Sequence, residues 1–365
     1  MAPSSSRDAA AERKPHDAFI ALRSEVFGRE GVQQRVLSHV ASAQKNQVAL
    51  ALRGRGPQAE VLQLLSVQRS VVSFLAGESQ RILVLEGEAG AGKSALIASC
   101  ARQVQQVLPH LKIFCHFVGA ARGSTDLVRL LQRLWLELAP DLAVPPSEEG
   151  LLRGAADVLE RAGQEGGLVI LVDALNQLDA DAEQSQLQWL PAVLPAGVHA
   201  VVSVIPGTPC HKILVSRSPE PLRIQVCGLD RGAGEKLVCS VLAKTGLGER
   251  SGEHCVELLL DRQGARNPLW LVFACEELKS RVWHASNNEQ ATSQQIPHVY
   301  TKLATRDRQT ASITSNQSSA AIISGFDDDL LGLLQQILAR IEKENEETGV
   351  VAALCFLECA RHGLL

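Results

Sequence analysis

Residues 81–100 read RILVLEGEAGAGKSALIASC: a short apolar run from Arg81 to Leu85, then the octet Gly87-Glu88-Ala89-Gly90-Ala91-Gly92-Lys93-Ser94, then an amphipathic stretch. The octet fits G-x4-G-K-[ST]. Phosphate oxygens need several N–H donors at close range. Small residues let the backbone approach, and a helix opening near Lys93 adds the positive end of its dipole. Lys93 would neutralise the β and γ phosphates, and the Ser94 hydroxyl would sit on Mg2+. A chain of this composition produces the pattern by chance about once in a hundred. The strand before it and the helix after it make a chance match rarer still.

Outward from this loop, short apolar runs alternate with longer amphipathic ones. Ile82 to Leu85, Ile113 to Val118, Leu168 to Val172 and Ala200 to Ile205 have the length and flanks of strands buried on both faces. Helical spacing fills the gaps. Leu96, Cys100, Val104 and Val107 share a face and stop at Pro109. Leu127 to Leu138 follow the capping residues Ser124-Thr125-Asp126, and Leu151 to Leu159 follow Ser147. The alternation predicts an α/β fold: a parallel sheet covered by helices on both faces in three layers.

A phosphate loop needs an acid on the metal side, at the end of a neighbouring buried strand. Leu168-Val169-Ile170-Leu171-Val172-Asp173 supplies one. An apolar run ending in Asp is by itself often only a strand terminus; downstream of this loop, metal binding is the better reading of Asp173. His116 has two open readings, a side chain facing a nucleotide or a hydrogen-bonded structural histidine. Glu257, Glu276 and Glu277 read as solvated helix faces.

Several pieces, in order, resemble the NACHT domains of STAND-class signalling NTPases. They are Val26-Phe27-Gly28-Arg29-Glu30, the phosphate loop, Asp173-Ala174-Leu175, and Asn267-Pro268-Leu269-Trp270-Leu271. Phe114-Cys115-His116-Phe117-Val118-Gly119 leading into Ser124-Thr125-Asp126-Leu127 is most similar to modules of nephrocystin and telomerase-associated type, which usually precede TPR or WD repeats. The resemblance implies ATP or GTP as ligand with Mg2+, Arg29 on the base or ribose side, and Pro268 near the base. For Arg29 a solvated turn residue is the other open reading.

Two departures bear on catalysis. Asn176-Gln177 stand where the family commonly has an acidic pair, and an amide cannot take a proton from water at neutral pH. Ile205 stands where many relatives have a phosphate-sensing arginine. Asp179 and Asp181 lie beyond the expected strand end. The expectation is a nucleotide-driven conformational switch and scaffold that self-associates and turns over weakly at most. The alternatives are an active NTPase or kinase, and a degenerate loop kept only for interaction.

The expected layout is a disordered tail over 1–17, a helical lead-in over 18–80, the NTPase core over 81–227 and a helical domain over 228–280. A polar flexible insertion over 281–325 and a truncated winged-helix-like segment over 326–365 follow. Within the lead-in, residues 41–60 read as a loop, with helical spacing returning from Val61 to Leu75.

Composition excludes other classes. With 45% hydrophobic and 21% charged residues over 365, the chain can bury a large core. No uncharged apolar stretch approaches the roughly eighteen residues of a membrane span. A net charge of -4 and 4% aromatics argue against nucleic acid as a partner. Nine cysteines form no metal template, and Met1 to His16 lack an apolar signal core. A cytoplasmic protein with reduced thiols is therefore expected.

Overall fold

The computed structural model describes residues 5–24, 26–41, 80–179, 187–243, 249–293 and 319–344. They fall into two compact units, Met1–Cys227 and Gly228–Leu365.

The first unit is built on five parallel strands: β1 (Leu83–Glu86), β2 (Lys112–Phe117), β3 (Leu168–Asp173), β4 (Val198–Val204) and β5 (Leu222–Gln225). Their order across the sheet is β2-β3-β4-β1-β5. Thus β1 lies between β4 and β5, with Glu86 level with Val204 on one side and Gln225 on the other. The helices are α1 (Ser5–Arg23), α2 (Glu30–Ala41), α3 (Lys93–Val107), α4 (Leu127–Leu138), α5 (Glu148–Gln164) and α6 (Pro209–Val215). Ile82 and Val84 face a core made with α4, α5 and α6. Leu83 and Leu85 face the opposite core, made with α1, α2 and α3. Burial on both faces is why these strands read as unbroken apolar runs rather than alternating ones.

Local chemistry sets the helix ends. Asp126 caps α4 by accepting from the Val128 and Arg129 N–H groups at 2.8 and 3.4 Å. Ser124 instead folds the preceding turn, its Oγ accepting from Gly119 N at 2.9 Å and Ala121 N at 3.2 Å. Ser147 caps α5 through Gly150 N at 3.3 Å, with Glu148 and Glu149 in the first turn. Helix α3 ends at Val107, and the Leu108 N–H closes on the Val104 carbonyl just before Pro109.

The structure corrects the expected tail over 1–17: α1 begins at Ser5 and packs on α3, α4 and β2. Ala, Glu, Arg and Lys give this segment helix propensity. His16 is buried, and its Nδ1 accepts from the Phe117 N–H at 3.1 Å. Phe19 stacks on Phe117 with ring centroids 4.3 Å apart. Together they cover the open side of β2, at one end of the strand order, where backbone donors would otherwise meet only water.

The second unit holds α7 (Arg231–Ala243), α8 (Glu249–Leu260), α9 (Pro268–Ser293), α10 (Leu330–Glu344) and a helical turn at 319–324. Trp270, Leu271, Ala274, Cys275 and Leu278 form the buried face of α9. That helix runs on to Ser293, so the expected insertion is helical at its start; adding a residue to an existing helix gains one hydrogen bond without a new nucleus. Glu277 is a second correction. It is buried and paired with Arg340 of α10 at 2.7 Å and with Arg281 at 2.6 Å, while Glu257 and Glu276 are exposed. Most of the loop expected over 41–60, the helical spacing at Val61–Leu75, Asp181, residues 294–318 and residues 345–365 lie outside the described residues.

Candidate nucleotide-binding site

The phosphate loop leaves the C-terminal end of β1, beside the point where the strand order reverses, which is where open parallel sheets hold ligands. Glycine is required at its start because a β-carbon on Gly87 would lie 2.6 Å from the Val226 carbonyl oxygen. It is also required at Gly92, which caps α3 with φ of 91° in the left-handed region. Lys93 opens the helix and folds back over its own loop. Its Nζ donates to the Gly87 and Glu88 carbonyls at 2.7 and 2.8 Å. Burial pushes the Lys93 ammonium below its usual pKa, against the opposing pull of the Asp173 and Glu88 carboxylates.

Asp173 ends β3 and is buried. Burial raises its carboxyl above the usual carboxylate range, although Ser203 and Ser94 both donate to it and Lys93 attracts it. The Ser203 Oγ lies 2.5 Å from Asp173 Oδ1 and also accepts from the Ala174 N–H at 2.8 Å. These residues fit Mg2+: a buried carboxylate that favours a nearby cation, hydrogen-bonded to the Ser94 hydroxyl. Among the described residues no group of three or more His, Cys, Asp or Glu side chains converges as a metal site. Ser94, Asp173, phosphate oxygens and water would complete such a shell, as is usual for this ion. Asp173→Asn keeps the shape and an acceptor for Ser203. It is expected to weaken Mg2+-dependent nucleotide binding more than Mg2+-free binding, and calorimetry with and without the metal checks this. Equal losses would make Asp173 structural.

Asn176 follows directly, in a single 3-10 turn, Leu175–Gln177, entered through Ala174 in the left-handed region with φ of 56°. Its Oδ1 accepts from the Ile205 N–H at 3.2 Å, tying the turn after β3 to the end of β4. The departures noted at 176 and 205 therefore meet. The Asp179 N–H donates to the Thr125 carbonyl at 2.7 Å, tying the end of this turn to the segment before α4.

Arg29, just ahead of α2, is buried and donates from Nη2 to the Ala91 carbonyl at 2.9 Å, so the turn is not simply solvated. His116 is settled as structural. Its Nε2 lies 2.8 Å from the Ser124 carbonyl and its Nδ1 3.0 Å from Arg133 Nη1, and burial with the Arg133 charge pushes its pKa down to about 3. Pro268 belongs to the other compact unit and is the first residue of α9. There Asn267 Oδ1 caps the helix by accepting from Leu269 N at 2.9 Å and Trp270 N at 3.3 Å, with proline at the position whose missing N–H costs nothing.

Two features escaped the sequence reading. Ser203 is one. The other is Glu86, the residue before Gly87, held by Arg223 at 2.9 Å and by His211 Nε2 at 2.8 Å. Burial alone would raise the Glu86 carboxyl, but hydrogen bonds from Arg223 and His211 outweigh it and hold it below the usual range. His211 Nδ1 accepts from Gly207 N at 3.2 Å, so Glu86 also braces the turn after β4. The available signal was a polar residue inside a buried run: Ser203 among valines, and Glu86 closing Leu83-Val84-Leu85.

This sheet order, the glycine loop capping α3, and a buried carboxylate within hydrogen-bond reach of the loop serine define a nucleotide-binding P-loop NTPase module. Its family follows from comparison with known proteins: residues 81–245 match the NACHT domain family model, and this part of the chain is a NACHT domain. The chain is 28% identical over 174 residues to NACHT domain- and WD repeat-containing protein 1 of Mus musculus, covering 44% of this chain and 11% of that protein. It is 28% identical over 217 residues to telomerase protein component 1 of Rattus norvegicus, covering 54% and 8%. With the Mus musculus protein of that name the figures are 27% over 301 residues, 78% and 10%. The chain thus spans about a tenth of the length of these curated relatives. Among the described residues no helix is long and apolar enough to cross a membrane.

Proposed function

We propose that this chain is the nucleotide-responsive switch and scaffold of a STAND-type signalling protein, binding ATP or GTP with Mg2+ and hydrolysing it slowly or not at all. The observation that carries this is the contrast within one site. Lys93 and Asp173 are buried, with the Ser94 hydroxyl donating to Asp173, while the next polar position, Asn176, is an amide whose oxygen is engaged by the Ile205 N–H. Such a site has what phosphate and metal need, and at position 176 it offers an amide in place of a carboxylate that could deprotonate water.

Nucleotide would favour one conformation of the chain over another, since a ligand shifts a conformational equilibrium only through differential contact. Self-association, a cytoplasmic location and partner-reading repeats elsewhere in a longer protein belong to this proposal. The repeats are suggested by the relatives named for them. Melting temperatures of the pure chain with ATP, ADP, GTP and GDP, each with and without Mg2+, test it together with steady-state turnover. Stabilisation with negligible turnover supports the switch, fast turnover an enzyme, and no stabilisation by any nucleotide a degenerate loop.

Asn176→Asp probes the hydrolysis arm. One carboxylate oxygen can keep the bond from Ile205 N while the other becomes available to a water. The single-turnover rate is expected to rise about 10-fold, below the usual general-base contribution because Ile205 supplies no charge to the γ phosphate. An unchanged rate with binding preserved would show that position 176 is not aimed at the water.

A further inference from the structure

Arg29 comes from well upstream of the loop it touches, and it holds that loop by a backbone carbonyl, that of Ala91 at 2.9 Å. Among the described residues the one cis peptide is Ser218-Pro219, so the bond from Ala91 to Gly92 is trans. In a trans peptide the C=O and N–H of one plane point in opposite directions. A guanidinium holding the Ala91 oxygen toward α2 therefore turns the Gly92 N–H away from α2. Gly92 is left-handed and Lys93 helical, the alternation from which successive N–H groups form an anion-binding concavity. The clamp has little slack, because Gln33 on the first turn of α2 donates from Nε2 to Ser99 Oγ of α3 at 2.6 Å, and both side chains are buried.

We infer that Arg29 is a positioning residue of the phosphate cradle: through the Ala91 carbonyl it aims the Gly92 N–H at the pyrophosphate group of a nucleoside di- or triphosphate. This rests on the nucleotide-binding reading above and replaces the expected contact with base or ribose. Its consequence is that the seating of α2 sets phosphate affinity, so whatever displaces the N-terminal helices loosens the ligand.

The test measures binding of ADP and of inorganic pyrophosphate to the full chain by calorimetry, at low and high salt, for wild type, Arg29→Met, Arg29→Lys and Gln33→Leu. Arg29→Met is expected to weaken both ligands about 10-fold and in the same proportion, the range for a lost charge-assisted hydrogen bond. The loss persists at high salt, because a misaimed amide is not a screened charge. Arg29→Lys, which still donates to Ala91, recovers most of it. Gln33→Leu leaves Arg29 in place and gives a smaller loss in the same proportion, which keeps the idea testable should Arg29→Met fold poorly. Loss of ADP binding alone would place Arg29 on the base or ribose and overturn the inference. So would unchanged binding of both ligands, or a loss that vanishes with salt, the mark of a direct countercharge. Wild type binding neither ligand would instead strike the nucleotide reading itself.

Discussion

Lys93→Ala is expected to erase the rise in melting temperature that a nucleotide gives the wild-type chain. A ligand present at a hundred times its dissociation constant stabilises the folded state by about 2.7 kcal/mol. In a unit of this size that is a rise of roughly 5–10 °C. The Lys93 ammonium already sits inside the loop, bonded to the Gly87 and Glu88 carbonyls, and phosphate oxygens would replace those carbonyls as its partners. Alanine removes the fixed countercharge, and the neighbouring Asp173 and Glu88 carboxylates would then repel phosphate unopposed. The ligand-free variant should stay folded, because both cores beneath the loop are apolar and do not include this side chain. Burial costs the ammonium part of what its two hydrogen bonds return, so the ligand-free melting temperature should move far less than the ligand-induced shift. An undiminished shift in Lys93→Ala would remove the loop from the binding site.

What the sequence made legible follows from how strongly each element is constrained. Four strands were readable because burial on both faces leaves only apolar residues, as in Leu168-Val169-Ile170-Leu171-Val172, all fully buried. The fifth, Leu222–Gln225, lies at one end of the strand order with only Ile224 buried, so nothing distinguished Leu-Arg-Ile-Gln from a loop. Gly87 to Ser94 and Asp173 were found because their chemistry fixes residue type and spacing. Arg29 was found by family pattern, but the pattern carries no geometry, and its bond to Ala91 appeared only in three dimensions. The first part of α1, ahead of residue 18, was missed for the same reason: His16 gains its worth from Phe117, a residue distant in sequence. Glu86 and Glu277 look solvated on their own elements, and only the arrival of Arg223, His211 and Arg340 from other elements makes their burial affordable.

Glu277→Ala is expected to be the most destabilising single change in the second unit outside its apolar core. The Glu277 side chain is 1% exposed, and its two oxygens take Arg340 at 2.8 and 2.7 Å while Arg281 donates at 2.6 Å. Removing one partner of a buried pair leaves the others desolvated and uncompensated, a loss of about 3–5 kcal/mol. The lower end applies here, since Arg281 is 36% exposed and Arg340 17%, so water can recover part of their hydration. Arg340 is on α10 and Glu277 on α9, so the loss should concentrate where the two helices meet. Hydrogen exchange in Leu330–Glu344 is expected to accelerate strongly while Leu168–Asp173, in the other unit, keeps its protection. The sign with pH follows from the carboxyl. Burial would raise the Glu277 pKa, but bonds from Arg340 and Arg281 outweigh it and hold it below its ordinary value of 4.5. The stabilisation is therefore complete above that value and is lost as pH falls through the lower, folded-state value. In wild type α10 should loosen in that acid window, and in Glu277→Ala it should already be loose at neutral pH with no further change there from this group. Unaltered exchange in α10 at neutral pH would mean that Trp270, which donates to the Asp327 carbonyl at 2.8 Å, and Arg262, paired with Asp328 at 3.0 Å, suffice to hold that helix without the buried carboxylate.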